Sequence, residues 1–123
     1  MRNGPFWSPR AEAPPSITRV EPPDGATQVL CDAPVIVRLS RPLDPASVSA
    51  ETFSIQDSEG PVPGSVQISS DLRGVIWGGE RHLRPGALHF VVARGLRDDR
   101  GRPIPPLWSC FIPCDLARDD LRQ

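Results

Sequence analysis

The chain reads as an all-β antiparallel sandwich, and three observations point there. It has 16 prolines and 10 glycines among 123 residues, about a fifth of the chain. Proline lacks the N–H and clashes inside a helix, so long helices are forbidden. Apolar residues alternate with period 2 in short runs, as on a half-buried strand. Turn-forming clusters separate those runs roughly every 8–15 residues, a spacing that favours a sandwich.

Residues 1–15, MRNGPFWSPRAEAPP, precede the strands and form an arm. Four prolines and Gly4 keep it extended, and Phe6-Trp7 stand within it as an isolated aromatic pair. Exposed aromatics favour association. The pair therefore anchors into a partner or a membrane interface, or it folds back over its own domain.

The sandwich covers residues 16–114. Ile17 and Val20 mark a first short strand, stopped by Glu21-Pro22-Pro23-Asp24-Gly25, and Gln28-Val29-Leu30 continue the edge. Val35, Val37 and Leu39 alternate with Ile36, Arg38 and Ser40, ending at Arg41-Pro42-Leu43-Asp44-Pro45. Ala46 to Glu51 allow one helical turn with Val48 inward. Phe53 and Ile55 mark the next strand, closed by Asp57-Ser58-Glu59-Gly60. Val66 and Ile68 mark another, and Val75-Ile76-Trp77 the one before Gly78-Gly79.

Leu83 to Ile104 then read as turn, strand, turn, the unit around which the rest is arranged. Pro85-Gly86 suits a turn because proline fixes φ and glycine accepts positive φ. Leu88, Phe90 and Val92 read as the core face, which turns His89 outward. Asp98-Asp99-Arg100-Gly101 closes the unit as a tight turn with solvated carboxylates. The last strand runs from Leu107 to Ile112 and stops at Pro113. That makes seven to eight strands. Residues 115–123 are a tail, whose Leu116 and Leu121 are too few for an independent helix.

Several function classes fall away. A net charge of −1 offers no long-range field for nucleic acid or anionic lipid. No apolar run approaches the roughly 20 residues of a membrane span. The N-terminus lacks an apolar signal core, so with Met1 as the start the expected location is the cytoplasm, at most peripheral on a membrane. Gly-x-Ser-x-Gly is absent and Ser109-Cys110 has no neighbouring base, which leaves no catalytic residues to name. Asp98-Asp99-Arg100-Gly101 lacks the alternating oxygen ligands of a calcium loop. Gly74 to Gly79 lacks the lysine and following helix of a phosphate loop. Cys31, Cys110 and Cys114 with His82 or His89 lack the paired knuckle of structural zinc, and Cys110 reads as a small buried residue. No cofactor and no metal is expected.

The order of these blocks resembles the bacterial Ig-like domain of the S-layer (SbsA-like) type. The resemblance rests on Ile17-Thr18-Arg19-Val20-Glu21-Pro22, Asp24-Gly25-Ala26-Thr27-Gln28-Val29, and the run from Val35 to Val48. It continues through Thr52-Phe53, Leu83-Arg84-Pro85-Gly86, and Leu96-Arg97-Asp98 with Gly101. Leu39, His89 and Cys110-Phe111-Ile112-Pro113 depart from the family pattern. The resemblance implies an Ig-like β-sandwich and a non-catalytic spacer or interaction module, in a family whose members usually sit outside the cytoplasm in arrays. It also implies parallel first and last strands, which would bring Cys31 and Cys114 towards one pole. A disulfide there needs Cα atoms within about 7 Å, while the absence of an export signal favours free thiols.

Together these readings describe an accessory subunit that docks onto and stabilises a larger protein assembly, membrane-bound or not. Its contacts are the arm, through Phe6, Trp7 and Arg10, and a sheet edge. The alternative is a carbohydrate- or cell-envelope-binding module with Trp77 and Trp108 as a stacking platform.

Overall fold

The computed structural model describes residues 13–118 and 120. The strands are β1 (Ile17–Glu21), β2 (Ala26–Val29), β3 (Val35–Leu39), β4 (Phe53–Asp57) and β5 (Gly60–Pro61), followed by β6 (Gly64–Ile68), β7 (Gly74–Gly79), β8 (His89–Ala93) and β9 (Leu107–Pro113). They form two sheets, one ordered β1-β3-β7-β6 and the other β2-β9-β8-β4-β5. Neighbours are antiparallel except β2 and β9, which run parallel. The architecture is an Ig-like β-sandwich.

Inward-facing positions from both sheets fill the space between them, with Val35, Val37, Phe53, Ile55, Val75 and Phe111 almost fully buried. Trp77 is the largest side chain in this core and is 3% exposed. Its indole lies so close to the β6 backbone that a Cβ on Gly64 would fall 2.5 Å from the ring. Glycine at 64 is what lets the indole lie flat against that strand. The turns follow their sequences: Gly86 takes φ +79° and Gly101 φ +77°, a region other residues enter only with strain.

Three elements differ from the sequence reading. The helical turn is shorter, a 3₁₀ turn at Pro45–Ser47 capped by Asp44, which accepts from the Ala46 N–H at 3.0 Å. Val48, partly buried, does pack on the core. The last strand extends one residue, to Pro113, which pairs with Val29 at the strand's end, a place where a missing N–H is tolerated. The two-residue β5 was not expected; Gly60 and Pro61 pair with Asp57 and Gln56.

The tail is docked over the described residues that belong to it. The Cys31 N–H donates to the Leu116 carbonyl at 3.0 Å, the Arg118 N–H to Asp32 at 2.7 Å, and Ala117 is buried. Leu121 lies outside the described residues.

Candidate functional site

The strand expected to present Leu88, Phe90 and Val92 to the core presents its other face. His89, Val91 and Ala93 are buried, opposite Phe111, Ser109 and Leu107 of β9. Every position from 88 to 93 except His89 is apolar, so alternation cannot choose the phase, and a one-residue slip exchanges the two faces. His89 therefore points inward. Its ring stacks on Phe111 with centroids 5.4 Å apart, and its Nδ1–H donates to the Ala87 carbonyl at 2.8 Å. The Ala87 carbonyl satisfies one ring nitrogen, while Nε2 is buried with no hydrogen-bond partner among the described residues.

Asp98 gives a second correction. The stretch is a turn, as expected, but this carboxylate is fully buried rather than solvated; Asp99 is exposed. Asp98 accepts from the backbone N–H groups of Arg100 at 2.9 Å and Arg102 at 2.8 Å, and from the Arg102 guanidinium at 2.9 Å. Arg41 completes the ring of cations at 3.5 Å. Burial pushes this carboxyl up, but the two N–H donors and Arg102 pull it down further, leaving it below the usual carboxylate range. These contacts fasten a loop and leave no open valence for substrate.

The three cysteines are free thiols. The parallel β2–β9 pair does bring Cys31 and Cys114 to one pole, where the Cys114 N–H donates to the Val29 carbonyl at 2.7 Å. Burial, then the neighbouring Asp32 carboxylate, pushes the Cys31 thiol up, which disfavours the nucleophilic thiolate. Cys110 is half-buried on an outer face, opposite Phe90, rather than in the core. His82 is exposed. Among the described residues no three His, Cys, Asp or Glu side chains stand together as a metal-ligand set. No described helix is long and apolar enough to cross a membrane.

Two features remain as candidate contact surfaces. The first is the outer face of the five-stranded sheet. Trp108 is 66% exposed there, opposite Val92 in the β8–β9 ladder. Its ring packs against Phe90 with centroids 5.2 Å apart and an interplanar angle of 38°. Leu88, just before β8, is 46% exposed. Alternation in the sequence puts Phe90 and Leu88 in the core, which is why sequence reasoning misses them as surface residues. The signal was present: β8 and β9 carry apolar residues at both parities, more than one buried face can use. With Trp77 buried in the other sheet, the two tryptophans cannot form a shared stacking platform.

The second feature is an apolar groove of about 390 Å³ at the open side of the sandwich, where the edge strand β6 faces β4 and β5. Val48, Phe53, Val62, Val66, Ile68 and Trp77 line it. The Ser69 N–H bonds the Gly74 carbonyl and the Glu80 N–H bonds the Pro63 carbonyl. In an antiparallel ladder, hydrogen-bonded pairs alternate, so odd-numbered residues of β6 bond β7. The N–H and C=O groups of Gly64, Val66 and Ile68 face the open edge, and their side chains face inward. The residues expected to make partner contacts, Phe6, Trp7 and Arg10, lie outside the described residues.

Comparison with known proteins matches these features to a fold. The N-terminal part of the S-layer protein SbsC superposes with a TM-score of 0.64 at 20% identity, covering 85% of this chain and 24% of that one. CopC from Methylosinus trichosporium OB3b superposes at 0.67 and 18% identity, covering 81% and 93%. An L,D-transpeptidase from Mycobacterium smegmatis superposes at 0.57 and 17%, covering 83% and 41%. This chain spans between 14% and 24% of the SbsC chains. At such identities the likeness is one of fold. A cytoplasmic location draws no support from a surface-layer neighbour. No curated protein matches the sequence. The family model of the bacterial Ig-like domain matches residues 11–102, most of the strands described above. By sequence and by fold, the chain belongs to the bacterial Ig-like domain family.

Proposed function

We propose that this chain is a non-catalytic interaction module, an accessory subunit that docks onto and stabilises a larger protein assembly, in solution or at a membrane surface. The observation that carries the reading is Trp108, 66% exposed beside Phe90 on the outer face of its sheet. An exposed tryptophan that packs on a second aromatic offers a partner a large apolar area whose side-chain ordering is already done. Aromatic residues are enriched at the cores of protein–protein contacts for that reason. The arm adds a second contact through Phe6 and Trp7, with the Arg10 guanidinium to pair with an acidic group of the partner, and a sheet edge adds a third. Within its family we read the chain as one of the S-layer (SbsA-like) type, a reading supported by the likeness to SbsC.

The test is to isolate the tagged full-length protein from its native cells under mild conditions and to size it, beside a Trp108→Ala variant. The wild type should travel with a large complex, and the variant should run apart from it. A wild type that travels alone, or a variant that stays in the complex, would overturn this reading.

A further inference from the structure

We infer that the groove beside β6 receives the N-terminal arm of a second copy of this chain, with Phe6 as the inserted side chain. This rests on the interaction reading above for the arm, but not on the Trp108 face.

The groove has the two parts that strand addition needs. The edge of β6 offers the N–H and C=O groups of Gly64, Val66 and Ile68, and the same residues open onto apolar walls formed by Phe53, Val62 and Trp77. An incoming strand that adds antiparallel to those groups places its bonded residues' side chains inward, into the groove, because hydrogen-bonded residues of an antiparallel pair lie directly opposite and share a face.

The sequence outside the described residues fits that rule in one register only. Gly4-Pro5-Phe6-Trp7-Ser8-Pro9-Arg10 contains two prolines four apart, hence of the same parity. Proline cannot donate to a ladder, so both must fall at positions whose nitrogen faces away from β6. The bonded residues are then Gly4, Phe6, Ser8 and Arg10, and no hydrogen bond is lost. Phe6 is the one large apolar side chain of that set, flanked by the small Gly4 and Ser8. Trp7 takes the other face and points away from the groove.

The chain's exit favours a neighbour's groove over its own. β1 and β6 are opposite edges of one sheet, three strand spacings or roughly 14 Å apart. Ser16 is tied to Ser40 by two hydrogen bonds, at 2.8 and 2.9 Å, and Pro14-Pro15 stiffen the chain beyond it. By register Ser16 stands at the Ile68 end of β6, whereas an arm added antiparallel to that same β6 would finish at its Gly64 end and have to double back along the sheet. A second copy placed with its β6 edge beside the first copy's β1 edge meets the arm without a reversal. Twelve residues can span up to roughly 40 Å, ample for that step. The contact is head-to-tail, leaving a free arm at one end and a free groove at the other.

Sedimentation velocity of the full chain over a concentration series tests this. The wild type should self-associate, Phe6→Ser should weaken association on the order of tenfold or more, and Trp7→Ser should change it little. Val66→Glu should block the groove and leave a monomer. An equal mixture of Phe6→Ser with Val66→Glu should restore a heterodimer, since each supplies the part the other lacks. A wild type that stays monomeric at every concentration would overturn the inference, as would a Trp7→Ser effect larger than that of Phe6→Ser. Should Val66→Glu fail to fold, the two arm substitutions still decide, because they lie outside the sandwich. Trp108→Ala should leave self-association intact, so failure of the assembly reading and failure of this one are told apart.

Discussion

Trp77 and Trp108 are the same residue on adjacent layers of one sandwich, and they do opposite work. Trp77 is 3% exposed and Trp108 66%. The first is enclosed by glycines: a Cβ on Gly64 would lie 2.5 Å from its ring, and one on Gly79 3.1 Å. The sequence has thinned the backbone around it to make room. The second has been given a companion instead, Phe90 at 5.2 Å, which orders the indole without covering it. Burial here is organised by removing side chains, and exposure by adding one. That contrast separates residues that hold the fold from residues that offer it to a partner.

The largest effect should come from the enclosed side. Trp77→Ala is expected to cost about 3–5 kcal/mol of unfolding free energy, through lost transfer energy and an unfilled cavity, measured by urea denaturation. A loss similar to that of Trp108→Ala would break the comparison.

Asp98 is the polar counterpart of Trp77, a buried group on which a loop depends. Asp98→Ala should cost about 3 kcal/mol near neutral pH, because the removal leaves Arg102 and two N–H groups short of an acceptor. Its folded-state carboxyl is depressed, so the stability it contributes is fully present above the ordinary carboxylate value of about 3.9. That contribution is lost as pH falls from there through the folded-state value. Denaturation curves on acidification should therefore show the gap between wild type and variant narrowing below about pH 4. A gap that widens there would contradict the assignment.

A smaller change sharpens the same point. Gly64→Ala adds one methyl where the indole and the Gly78 carbonyl, 2.6 Å away, leave no space. Overpacking of this kind costs about 1–3 kcal/mol, and near-ultraviolet circular dichroism should report a displaced indole. Least of all, Trp108→Ala should change stability by about 1 kcal/mol or less, the scale of one aromatic pair, while partner retention is lost. A destabilisation comparable to that of Trp77→Ala would mean that Trp108 serves the fold.

How much of this was legible beforehand depends on whether a residue had one reading or two. Val35, Val37 and Leu39 alternate cleanly with less apolar neighbours, and β3 stands where they place it. Gly86 and Gly101 follow turn chemistry, and both take positive φ. Residues 88–93 allowed two phases, and the sequence preference for Phe90 inside lost to the pairing that stacks His89 on Phe111. Asp98 looks solvated because a run of charged residues usually is; the residues that meet it in the fold, Arg41 and Leu43, stand more than fifty positions away in the chain. The outer aromatic pair followed the same logic. Trp108 alone allowed core or surface, and only the register of β8 against β9 sets Phe90 beside it.

One measurement tests the central claim directly: oxidative footprinting of tryptophans, read by mass spectrometry, on the free chain and on the chain within its isolated native assembly. Trp77 should be protected in both. Trp108 should be oxidised readily in the free chain and protected in the assembly. Equal oxidation of Trp108 in the two states would contradict the account, because the exposed aromatic face would then not be where the partner sits.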